Sequence, residues 1–331
     1  MTLILYGTYQ RQASGTNPLF SEKRITQDFF NALQKSCAWH LAQKAPILLF
    51  TPGQYENWLT FCEAVQGIDQ NQAYPLINHF FEEMCFDEAA FFTGYYEPTL
   101  KGSLTQSAAY PTPLYQIPTF KNFSRQAIDQ GALKNKNLEL VYVTDAVDAF
   151  FLEIQGSGRI ELDNHTVMRV GYAGQNGYPF TPIGRVLKER GAIHPNHVSL
   201  QTIKEWLHNH PQEIENILHL NESYVFFKEI LQGDQLSGPI GTQQLPLTPM
   251  HSLACDAAVW PFGMIIAYEV QHPVTKKRIR NLALTQDTGG AIKGKMRFDL
   301  FCGHGKDAEN LAGHLKNDGV IRFLCPKKDL C

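Results

Sequence analysis

The densest concentration of reactive side chains lies in one C-terminal stretch. Asp287-Thr-Gly-Gly-Ala-Ile-Lys-Gly294 runs into Arg297-Phe298-Asp299, with Gly303-His-Gly305 and Ala312-Gly313 close behind. Glycine takes positive φ without strain and lets a ligand approach the backbone. Two carboxylates among glycines can therefore meet a substrate on tight turns rather than on flexible stalks. Gly-rich turns bearing Asp are also common structural punctuation, so this segment alone leaves a site and a simple turn equally open.

Other chemistries fit less well. Asp287-Thr288-Gly289 matches the tripeptide of aspartic proteases, which need two such aspartates sharing a proton. Only one Asp-Thr/Ser-Gly occurs in the chain, and a homodimeric protease would have a much shorter subunit. Twelve histidines include His194/His197 and His208/His210, but neither pair sits in an HExxH motif. They are read as solvated or helix-capping, and no metal is expected. Gly156-Ser157-Gly158 lacks the spacing of a GxSxG elbow, and Gly303-His-Gly-Lys306 lacks the Ser/Thr of a phosphate loop, so no cofactor is expected either.

A length of 331 residues predicts two domains, and 44% hydrophobic with 18% charged residues is ordinary for a packed protein. With 29 Lys+Arg against 32 Asp+Glu the net charge is −3, which offers no field to attract nucleic acid or anionic membranes. A neutral polymer such as a glycan is compatible, and 13 Tyr, 21 Phe and 4 Trp supply flat surfaces for sugar rings. The seven cysteines (Cys37, Cys62, Cys85, Cys255, Cys302, Cys325, Cys331) are scattered and never form CxxC, so most are expected to be small buried hydrophobes. The longest apolar stretch, Ala257 to Tyr268, contains Pro261 and Gly263 and falls short of the ~20 residues of a membrane span. The opening MTLILYGTYQ lacks the basic leader, apolar core and cleavage site of a signal peptide.

The elements that must position Asp287 and Asp299 follow from periodicity. The first ninety residues read mainly helical, with helices predicted over Thr26–Gln43 and Gln54–Val65 and an extended segment over Asp87–Tyr96. Gly, Ser, Thr and Pro between Lys101 and Tyr115 mark a domain crossing. The middle region reads as mostly β, with a strand over Glu139–Thr144 and two strands around the Gly-Ser-Gly turn in Ala149–Leu162. A helix carrying Trp206 and Leu207 follows, and Ser223–Ile230 leads out of the region. The last hundred residues, with short strands such as Met264–Val270 and Ile279–Leu284 between turns, suggest a small β-barrel. The fold class is α+β, mainly β.

Several segments, taken in order, resemble the membrane-bound lytic murein transglycosylase A (MltA) family. They are Phe92-Thr-Gly-Tyr-Tyr-Glu-Pro98, Phe151-Leu-Glu-Ile-Gln-Gly-Ser-Gly158, Gly171-Tyr-Ala-Gly-Gln-Asn-Gly177, Ser223-Tyr-Val-Phe-Phe227, Pro246-Leu-Thr-Pro249, Ser252-Leu-Ala-Cys-Asp256 and Asp287 to Asp299. The C-terminal part is similar to the 3D domain, whose three aspartates correspond to Asp256, Asp287 and Asp299. The resemblance implies a discontinuous double-psi β-barrel over residues 1–100 and 232–331, with a second β domain inserted over residues 101–231 and a glycan groove at their junction.

It further implies that Asp299 is the catalytic acid/base, with Asp287 and Asp256 as supporting acids. Thr93, Tyr95, Tyr96, Gln155, Ser157, Tyr172 and Lys293 fall in motifs expected to line the groove, although some of these tyrosines belong to the core. No role is assigned to Glu153. The expected substrate is the glycan strand of peptidoglycan, cut without water to leave a 1,6-anhydro end. The alternatives are a hydrolytic glycosidase and a non-catalytic peptidoglycan-binding protein. Partners among cell-wall synthesis or division proteins, and a periplasmic, outer-membrane-associated location, are implied by the resemblance rather than by a visible signal or lipid anchor.

Overall fold

The computed structural model describes residues 9–11, 25–43, 47, 49–120, 122–231 and 238–328. The opening segment considered as a signal peptide lies almost wholly outside them, as does Cys331. Among the described residues no helix is long and apolar enough to cross a membrane.

The chain begins with strand β1 (Tyr9–Arg11), helices α1 (Gln27–Gln43), α2 (Pro52–Gln66) and α3 (Gln70–Phe80), then strands β2 (Phe81–Phe86) and β3 (Ala90–Glu97). α2 starts where Thr51 and Gln54 form a reciprocal capping box with Pro52 in the first turn, and Asp69 with Gln72 does the same for α3. The next stretch comprises β4 (Thr99–Ser103), β5 (Thr112–Tyr115), α4 (Arg125–Ala127), β6 (Glu139–Val143), α5 (Ala146–Gln155), β7 (Ser157–Leu162) and β8 (Val167–Gln175). It continues through α6 (Ile183–Glu189), α7 (Leu200–Asn209), α8 (Ile214–Leu218) and β9 (Val225–Glu229). The chain closes with β10 (Ser252–Ala254), β11 (Ile265–Gln271), β12 (Arg278–Asp287), β13 (Arg297–His304), α9 (Lys306–His314) and β14 (Lys316–Pro326).

These elements form two compact units. The first comprises residues Met1–Tyr95, Ile240–Gly303 and His314–Cys331, and the second Tyr96–Pro239 and His304–Gly313. In the first unit the strands run in the order β14-β11-β12-β10-β13-β3, and β3 pairs back onto β14, closing a six-stranded barrel. Closure removes the free edges that an open sheet would expose. Phe92, Trp260, Tyr268, Phe298 and Phe301 are almost wholly buried, and Phe92 stacks on Phe298 with centroids 5.8 Å apart. Phe29, Leu33, Trp58 and Phe61 of α1 and α2 are equally buried. Gly263 adopts φ +81°, and a Cβ there would collide with the His40 ring, so glycine is required.

The second unit holds a six-stranded sheet in the order β5-β6-β4-β7-β8-β9. Leu100, Val141, Leu152, Ile160, Val170 and Phe227 form one core, while Phe150, Phe151, Leu187, Leu207 and Ile217 form another among α5 to α8. The expected strand pair in Ala149–Leu162 is therefore half wrong: residues 146–155 are helix, and only β7 is strand. Asp145 caps that helix by accepting from the Val147 and Asp148 amides, and Gly156 ends it at φ +78°. The apolar run Ala149-Phe-Phe-Leu152 lost the helical period because α5 is buried on two sides, one core on each. With α4 to α8 and nearly all of α9 among its described residues, the unit is also less predominantly β than its sequence suggested.

Candidate active site

The first unit gathers its carboxylates by strand register. Ala254 of β10 lies beside Asp287 of β12 on one side and Asp299 of β13 on the other. Two acids on strands either side of β10 thus flank a single small residue, and the register irregularity at Leu253/Ala254 falls at the same point. β3, the neighbour of β13, contributes Thr93 and Tyr95, which alternation places on one face.

Asp299 is half-buried and accepts a hydrogen bond from Thr93 Oγ1 at 2.6 Å. Burial pushes its carboxyl up to about 6, and the Asp287 charge adds to this, while Thr93 and Arg297 pull it back. The carboxyl is therefore protonated in mildly acidic solution and can give up its proton near neutrality. Asp287 accepts at Oδ2 from Tyr95 OH, and at Oδ1 from the Thr242 amide and hydroxyl, each at 2.9 Å. Burial raises its carboxyl as well, and those hydrogen bonds oppose the rise. The Tyr95 ring rests on Phe301, and burial together with the two aspartates keeps its phenol protonated, so it acts as a donor.

Asp256 behaves differently. It accepts from the Gly294 amide at 2.8 Å and the Ala258 amide at 3.1 Å, and these bonds hold its carboxyl below the usual range. A carboxylate tied to the Gly-rich turn shapes that turn and has no readiness to carry a proton. Lys293, exposed in the same turn, favours the charged form of Asp256. Cys302 sits near Asp299 as a thiol whose ionisation burial suppresses.

The remaining expected residues lie in the second unit. The Tyr96 amide donates to Gln155 Oε1 at 2.9 Å, and its hydroxyl donates to Glu309 at 3.0 Å. Tyr96 and Ser157 are buried, whereas Tyr172 is 51% exposed. Glu153 has a clear structural part. Its carboxylate forms a buried two-pronged pair with Arg125 at 3.0 and 2.8 Å and accepts from the Val225 amide. Among the described residues no cluster of His, Cys, Asp or Glu could hold a metal ion. Of the histidines set aside earlier, His194 caps a short 3-10 turn, and His210 bonds the Trp206 carbonyl. Thr242 was missed by sequence reasoning: a threonine in a Gly-Thr-Gln-Gln turn carries no signal of its contact with an aspartate 45 residues on.

Residues 91–123 and 119–228 match the MltA specific insert domain, and residues 251–324 match the 3D domain, so the two matches together cover well over half of the chain. The chain belongs to the MltA family. The MltA-specific match includes β3 with Thr93 and Tyr95, while the 3D match carries all three aspartates. The membrane-bound lytic murein transglycosylase A of Vibrio cholerae is 36% identical over 240 residues, which is 70% of this chain and 64% of that protein. The chain thus spans less than two thirds of the curated relatives it matches. A membrane-bound lytic murein transglycosylase from Agrobacterium tumefaciens superposes with a TM-score of 0.84 at 27% identity, covering 96% of this chain and 98% of that one. Escherichia coli MltA with bound chitohexaose gives 0.76 at 25% identity, covering 97% and 95%.

Proposed function

We propose that this MltA-family protein is a lytic transglycosylase of peptidoglycan, with Asp299 as its single acid/base. One observation carries the reading: a carboxyl pushed up to about 6, half-buried, beside the tethered Asp287. A raise of this size corresponds to roughly 3 kcal/mol favouring the protonated form, which is what a general acid needs. Protonated Asp299 would donate to the bridging oxygen between N-acetylmuramic acid and N-acetylglucosamine as the C1–O bond breaks. Its carboxylate would then take the proton of the muramic C6 hydroxyl, whose oxygen bonds C1 of the same sugar.

An internal hydroxyl has a very high effective concentration, so no second carboxylate is required to activate water. The chitohexaose held by the Escherichia coli relative supports a site for β-1,4-linked N-acetylglucosamine rings. In this reading Tyr172 is a stacking surface, and Thr93, Tyr95, Tyr96, Gln155, Ser157 and Lys293 support glycan binding directly or through their neighbours. The domain division that goes with it is a barrel from residues 1–100 and 232–331, holding an insert over 101–231. The family name supports an envelope setting, which we take to be the periplasmic face of the outer membrane, where cell-wall synthesis or division proteins would be partners.

Murein digested with the pure protein and analysed by mass spectrometry tests the reading. Anhydro ends are expected. Reducing ends would mean a hydrolase, and intact polymer a binding protein. Asp299→Asn should still bind glycan while its turnover falls at least a thousandfold, on the order of the loss when an essential acid is removed; near-normal turnover would end the assignment.

A further inference from the structure

The turn over residues 240–246 lies along the end of β12. Ile240 bridges Pro246, the Gly241 amide bonds the Leu245 carbonyl, and the Gln243 amide bonds the Gln286 carbonyl. A Cβ on Gly241 would come within 2.8 Å of that same Gln286 carbonyl, so only glycine lets the turn sit so close. The close approach brings both donors of Thr242 onto one oxygen of Asp287 at 2.9 Å, and the Thr242 hydroxyl also meets that of Thr288 at 2.8 Å. Thr242 itself is exposed and packs into no hydrophobic core.

We infer that Thr242 is a positioning residue of the cleavage reaction: it holds Asp287 as a fixed anion on the far side of Ala254 from Asp299, so that the acid proton resides on Asp299. The inference rests on the function proposed above. The Asp287 charge raises the Asp299 carboxyl across Ala254, so the two ionisations are linked and three protonation states compete. With two protons the pair lacks the negative charge that offsets the positive charge developing at the anomeric carbon. With none it lacks the acid. With one, the proton can sit on either side, and only the form with Asp299 protonated is productive. Asp287 receives two donors from Thr242 and one from Tyr95, whereas Asp299 receives one from Thr93, so the proton is biased toward Asp299. The other ionisable groups facing Asp287 are Tyr95 from β3, Asp299 from β13 and Cys255 after β10. Burial holds both Tyr95 and Cys255 protonated, so neither contributes an opposing charge.

Thr242→Val removes the hydroxyl donor and keeps the shape. The acid limb of the kcat/KM–pH profile for anhydro-end formation should move up by about one pH unit, as expected for one lost hydrogen bond to a charged group, with the alkaline limb unmoved. Thr242→Ser should restore the profile. Independently of turnover, carbon-13 NMR of the side-chain carboxyls should show Asp287 titrating at higher pH in Thr242→Val than in the parent protein. A lower rate with both limbs in place and an unchanged Asp287 titration would overturn the inference. A protein that forms no anhydro ends, yet shows the Asp287 displacement, would retain the tether and lose only the proposed reaction.

Discussion

At the residue scale the proposed reaction depends on a proton held by Asp299. Burial and the Asp287 charge disfavour the ionised form and raise the carboxyl; the Thr93 hydroxyl donates to the ionised form and lowers it. Because the acid must be protonated to act, kcat/KM should fall as pH rises through about 6. Thr93→Val removes a stabiliser of the carboxylate, so this alkaline limb should move upward by about one pH unit. A pH profile with a good glycan substrate checks this. If Thr93 only touched substrate, KM would rise and the limb would stay. Asp299 could be singled out in the sequence because a cluster of motifs surrounds it, and its acid/base role is the proposal made above. The tether on Asp287 was not, because a hydrogen bond between a turn and a strand end depends on register that no local pattern encodes.

At the scale of elements, the second unit relies on a charge pair inside its core. Arg125 gives three of its nitrogens to the Glu153 carboxylate and to the Asn221 and Ser223 carbonyls, and its guanidinium lies 4.6 Å from the Phe150 ring centre. Glu153→Ala would leave that cation buried without its counter-charge, and urea unfolding should show a loss of about 3 to 5 kcal/mol. The pH limbs of cleavage should not move, since Glu153 would then be a structural group rather than a reacting one. The helix carrying Glu153 also marks where periodicity failed as a guide. Helices α1 and α2 bury one face and were legible from three- and four-residue spacing, and the α2 cap is explicit in Thr51-Pro-Gly-Gln54. α5 packs against two cores at once, so its apolar residues are continuous and imitate strand. Its true signals were the flanking Asp145 and Gly156.

On the scale of the molecule, the barrel of the first unit is assembled from distant parts of the chain. Lys316–Gly319 of β14 pair with Thr93–Ala90 of β3, and the same strand continues along β11 and then β2. A fragment of residues 240–331 contains the three aspartates yet lacks β3, which would leave β13 and β14 with open edges. Such a fragment should give a collapsed amide proton spectrum with no dispersed barrel signals; a well-dispersed one would show that closure by β3 is dispensable. The barrel itself was legible as short strands between turns, while its discontinuity came from family likeness alone, because pairing between remote strands leaves no trace in local composition.

The seam between β3 and β14 bears on how the protein reaches its native state. Joining strands more than two hundred residues apart carries an entropic cost that grows only with the logarithm of the intervening length, about 0.6 kcal/mol for each doubling. Evolution could therefore lengthen the excursion between them almost without thermodynamic penalty, and a whole second unit fits into it. The burden is kinetic: the ring is sealed only by its remotest pair, so closure of the barrel should lag behind the appearance of helices and local hairpins.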